Sequence, residues 1–74
     1  MANIELLQNL PIQTYKFNKY DFIVKLESQG YSLVGYKWNH KRTDVISEFE
    51  NEIYFSSLES VKEMINYLIT DKIF

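Results

Sequence analysis

Glu48, Glu50 and Glu52 alternate along the chain. In one extended strand their carboxylates would project from the same face about 6.8 Å apart, on the order of the spacing of successive phosphates in an extended nucleic-acid strand. Such an acidic strip, with Glu59 adding charge nearby, can engage a basic groove on a partner, including one that otherwise holds nucleic acid. It can equally be a solvated outer face, and a turn at Glu50-Asn51 would break it. A second constellation lies upstream, where Trp38, His40, Lys41 and Arg42, with Lys37, set an indole beside four basic or titratable side chains. An indole can stack a base while Lys41 and Arg42 pair phosphates. The same tip, with Tyr36 just before it, also suits contact with a protein, or a solvated hairpin with a half-buried Trp38. The candidate partner-binding residues are therefore Glu48, Glu50, Glu52, Glu59, Tyr36, Trp38, Lys41 and Arg42.

Catalytic and cofactor chemistry find no support in these residue types. His40 is the single histidine and has no Ser, Cys or paired carboxylate near it in sequence to serve as a general base. With no cysteine there is no disulfide and no thiolate ligand, and one imidazole does not make a metal site without carboxylates around it. No catalytic residue, metal or cofactor is expected.

The elements that must carry these side chains follow from pattern. Ser56 is predicted as the N-cap of a C-terminal helix, with Glu59 three residues on to close a capping box. From there Leu58, Val61, Ile65 and Leu68 recur at helical spacing, Met64 and Ile69 widen the stripe, and Glu59, Lys62, Glu63 and Asn66 take the other face. This is a helix with one face over a core. Asn3 can cap a short helix to about Asn9, ended by Pro11, and Ile12 to Phe17 alternates as a strand.

Residues 18 to 29 fit two periods. As a helix, Asn18 is the N-cap, Asp21 lies near the positive dipole end, Ile23 and Leu26 face inward, and Gly30 supplies a left-handed stop. As a strand, Tyr20, Phe22, Val24 and Leu26 alternate with Asp21, Ile23, Lys25 and Glu27, and Gln29-Gly30 becomes a hairpin turn. Two end signals favour the helix over one alternation. Tyr31 to Trp38 is β-rich, with Leu33, Gly35 and Lys37 on one face and Tyr31, Val34, Tyr36 and Trp38 supplying the rest in an imperfect period of two. Gly35 suggests a bulge or a close approach by another backbone. After the polar loop at 39–42, Thr43 to Phe49 and Glu52 to Phe55 are predicted as two more strands.

The expected fold class is α+β, a small antiparallel sheet of three to four strands packed by the C-terminal amphipathic helix and one or two further helices, within a single domain over residues 1–74. A domain this small buries only about 60% of its unfolded surface. Aromatic residues at 16% of the chain offset that shortfall, and six tyrosines against five phenylalanines suggest rings that are half buried with a wet hydroxyl. The formal net charge of −2 speaks against a general nucleic-acid binder. No basic leader or long apolar run precedes Ile4, so a small soluble, cytoplasmic protein with no membrane partner is expected. The scarcity of alanine, found only at Ala2, and the abundance of Asn, Lys, Ile and Tyr point to an AT-rich coding source such as a low-GC bacterium or its phage.

The stretch Val45-Ile46-Ser47-Glu48-Phe49-Glu50-Asn51-Glu52, a strand ending in acids just before an amphipathic helix, resembles the corresponding stretch of small acidic anti-CRISPR proteins of Listeria phages. The resemblance covers eight residues of 74, together with size, α+β build and lack of cysteine; the chain is less acidic and adds the Lys41-Arg42 loop. It implies an inhibitor that occupies the surface with which a CRISPR nuclease reads protospacer-adjacent DNA, Glu48, Glu50 and Glu52 contacting basic side chains. The function expected is thus a non-enzymatic, protein-binding inhibitor or modulator encoded by a phage, acting inside a bacterial host cell. The alternatives are a small nucleic-acid-binding regulator using the 38–42 loop, and a homodimeric accessory domain, which an apolar end at Ile73-Phe74 docked on a second copy would favour.

Overall fold

A computed structural model describes residues 4–71. Four strands, β1 (Ile12–Phe17), β2 (Tyr20–Glu27), β3 (Gly30–Trp38) and β4 (Val45–Glu50), precede one helix, α1 (Leu58–Asp71). The strands pair antiparallel in chain order, β1-β2-β3-β4, so the sheet is an open meander. The architecture is α+β with a single helix among the described residues.

Residues 18 to 29 form a hairpin strand and not a helix, and both end signals have another physical origin. Asn18 holds the left-handed conformation, φ 52°, in the two-residue connection between Phe17 and Tyr20, a conformation that asparagine tolerates in turns as well as at caps. Gly30, φ 132°, pairs with Glu27 across the Ser28-Gln29 turn, and a Cβ there would lie 2.5 Å from the Phe55 carbonyl oxygen. It is required for close backbone approach and not for a helix stop.

Strand alternation then divides the sheet into two faces. Tyr15 and Phe17 of β1, Tyr20, Phe22 and Val24 of β2, Leu33 of β3 and Phe49 of β4 face α1, meeting Leu58, Val61, Ile65 and Leu68. The predicted helical stripe is thus the buried one, with Met64 and Ile69 packed at its margin. Tyr31 belongs to this face too, opposite Leu26, and not with Val34 and Tyr36. Tyr15 and Tyr20 flank Phe22 at centroid distances of 6.4 and 6.0 Å, and burial pushes the Tyr15 phenol above its ordinary pKa of 10.0. Gly35 stands between Phe22 and Phe49 in the register, adding no side chain to that row, while the irregular pairing lies at Lys37/Trp38 instead.

Three further expectations are corrected. Residues 4–9 are not helical: so short a segment has too few residues for a helix to persist without packing, and the Leu7 backbone is held by Gln13, whose amide oxygen accepts from Leu7 N at 2.8 Å and whose amide nitrogen donates to Leu7 O at 2.7 Å. Leu6 nevertheless enters the core. The proposed cap at Asn3 and docking of Phe74 fall on residues outside those described. Residues 52–55 form no strand; Phe55 alone pairs, with Tyr31. The helix cap is Ser57 and not Ser56: its hydroxyl accepts from Ser60 N at 3.3 Å and lies 3.2 Å from the Ser60 hydroxyl, so Ser60 and not Glu59 is the residue that the cap engages three positions on.

Candidate functional site

The face of the sheet away from α1 carries three of the predicted contact residues, Tyr36, Glu48 and Glu50, arranged by register in rows. Lys16, Asp21, Tyr36 and Glu48 form one row across β1 to β4; Thr14, Ile23, Val34 and Glu50 form the next; Ile12, Lys25 and Ser32 form the third. Glu48 and Glu50 therefore share a face, as their spacing predicts, with Tyr36 and Val34 beside them. Glu52 lies beyond the end of β4, so the strip is two strand residues plus one loop residue. Glu59 is in the first turn of α1, across the sheet from the others.

The loop after β4 adds a structure that strand reasoning missed. Glu50 still pairs with Val34, yet three positions earlier on β3 Tyr31 pairs with Phe55, so β4 has more residues between these points than its partner. The excess is thrown out as a lip at 52–54. Two backbone hydrogen bonds between Tyr31 and Phe55, 2.9 and 2.8 Å, fix its far end, and the Asn51 amide nitrogen donates to the Ile53 carbonyl inside it. Between the lip and the sheet runs a cleft of about 440 Å³ whose floor includes Lys25, Ser32 and Val34 and whose wall includes Glu50, Glu52 and Ile53. Ile53 is 77% exposed, Ile12 at the opposite edge 61% and Ile46 on β4 59%. The sequence carries little signal of it: Glu52 to Phe55 is long enough for a short strand and leads directly into the helix start at Ser57.

The basic loop is tied down. Asp21 accepts from the Trp38 indole N–H at 3.0 Å and from Arg42 at 2.8 Å, and Arg42 also donates to the Asn18 carbonyl at 2.7 Å. The Arg42 guanidinium stands 5.6 Å from the Trp38 ring. Charge-assisted bonds and ring contact together hold Arg42 at φ 57° and knit the β3–β4 loop to the β1–β2 turn. Asn39 shapes the loop from within, its side-chain oxygen accepting from Thr43 N at 2.9 Å. His40 and Lys41 are exposed at the tip, whereas Lys37 lies on the helix side with its ammonium 5.8 Å from the Tyr20 ring centroid. The residues of the predicted stacking tip are therefore split between two faces.

Among the described residues no group of three His, Cys, Asp or Glu side chains is placed to hold a metal ion, and no helix is long and apolar enough to cross a membrane. The chain has no match among protein-family models, curated proteins or solved structures.

Proposed function

We propose that the chain is a non-enzymatic protein-binding module that inhibits or modulates a partner by covering part of its surface with the open face of the sheet. One observation carries this: among the described residues no helix covers the face that bears Ile12 and adjoins the lip carrying Ile53, both more than half exposed, beside the carboxylates Glu48 and Glu50. Apolar side chains left exposed at both edges of one face, with charged groups between them, supply the apolar and polar contacts that an interaction surface uses. The acidic edge favours a partner with a basic groove, such as a nucleic-acid-handling protein, and the local resemblance to phage anti-CRISPR proteins agrees with an anti-defence role. Direct nucleic-acid binding is disfavoured by the net charge of −2 and by the engagement of Arg42 and Trp38 with Asp21.

The test is affinity capture from bacterial lysate with the native chain, with Val34→Glu on the open face and with Tyr67→Glu on the exposed side of α1. A protein retained by the native chain and by Tyr67→Glu but lost with Val34→Glu is expected. Retention by all three, or capture of nothing by any, overturns the assignment.

A further inference from the structure

The rows of the open face are self-complementary about one particular axis. Consider a second copy laid face to face, related by a two-fold axis parallel to the strands. That operation sets β1 of one copy over β4 of the other and β2 over β3, leaving each row opposite itself in reverse order. Lys16 then faces Glu48 of the second copy, Ile23 faces its Val34, and Thr14 faces its Glu50. In the third row Ile12, at the β1 edge, meets the lip that carries Ile53, at the β4 edge. The two most exposed isoleucines of the face are thereby covered together.

The perpendicular axis does the opposite. It would stack β4 on β4, bringing Glu48 and Glu50 of both copies into one strip of like charge, which costs free energy at an interface. Charge complementarity thus selects the orientation of the second copy. Among the described residues neither Lys16 nor Glu48 has an ion-pair partner within its own copy, so both charges are free to pair between copies.

We propose that the open face is an isologous interface for a second copy of this chain, two sheets packing with strands aligned, Lys16 of each copy paired with Glu48 of the other. Aligned packing within about 30° is the common geometry for twisted sheets stacked about 10 Å apart. Strand spacing and rise give a footprint on the order of 400 Å² per copy. That is well below the roughly 800 Å² per partner of a standard stable interface. The dimer is therefore weak and dissociates on dilution, which leaves the face accessible to another protein. The inference uses the same face as the proposed function and does not depend on the identity of any foreign partner.

Sedimentation equilibrium of the full chain tests it, with the fold of each variant checked by thermal melting. A dimer dissociation constant on the order of 100 µM is expected. Because symmetry repeats the ion pair, Lys16→Glu and Glu48→Lys should each weaken the dimer about tenfold. The double variant Lys16→Glu with Glu48→Lys reverses both partners and should restore it. A chain that is monomeric at millimolar concentration, a dimer indifferent to the single changes, or a double variant without restoration overturns the proposal. The capture experiment is decided separately by loss of a foreign protein with Val34→Glu, so either proposal can fail while the other holds.

Discussion

The two faces of the sheet are built from the same strands and have opposite fates. On β2, Tyr20, Phe22 and Val24 are buried against α1, whereas Asp21 and Ile23, one residue over, remain half exposed and Lys25 exposed. The difference teaches that the helix, and not strand composition, decides which side is core: Ile23, Val34 and Tyr36 are as β-favouring as their buried neighbours, yet they lie on the face away from α1 and remain half-buried. One face holds the fold together. The other is left for contact.

The largest effect should come from breaking the covered face. Ile65 is fully buried beneath the sheet, so Ile65→Ala is expected to cost about 2 to 5 kcal/mol. For a domain whose whole stability is on the order of 5 kcal/mol, that leaves it largely unfolded in a thermal melt. Val34→Ala on the open face should cost less than about 1 kcal/mol in the same measurement. Equal losses would dissolve the distinction between the faces.

A smaller effect is expected where the two faces join. Gly30 allows the Phe55 carbonyl to approach and so anchors the lip beside the open face. Gly30→Ala adds a Cβ at 2.5 Å from that oxygen and places an L-residue at φ 132°, which should cost about 1 to 3 kcal/mol. Its amide shifts in nuclear magnetic resonance should be concentrated at Tyr31 and residues 52–55. Shifts spread evenly over α1 would place the lip's anchor elsewhere.

The smallest effect is a pH dependence confined to the covered face. Burial raises the Tyr15 phenol above 10.0, so the folded state holds its proton more firmly than the unfolded chain does. Its stabilisation is therefore intact below pH 10 and declines as pH rises through the folded value. The melting temperature should fall more steeply above pH 10 in the native chain than in Tyr15→Phe, and identical slopes would show that Tyr15 is not desolvated.

Periodicity made α1, its buried stripe and β1 legible without coordinates, because a 3.6-residue or two-residue repeat of apolar side chains records which way each residue must face. It failed for 18–29, since Asn18 and Gly30 mark left-handed and close-packed backbone wherever these occur, at a helix end or a hairpin turn alike. Of the candidate site, the shared face of Glu48 and Glu50 followed from spacing.

Which residues those carboxylates would accompany was decided only in three dimensions. Asp21 lies 21 residues from Arg42 and 17 from Trp38, so the clasp that withdraws both from the loop tip depends on the register of β2 with β3. The lip at 52–54 likewise exists because Phe55 pairs with Tyr31, far away in sequence, and the intervening residues must be accommodated. Local pattern fixes the direction in which a side chain points along its own element; what lies opposite it depends on strand pairing and helix placement, and these are settled by contacts between residues that the sequence keeps apart.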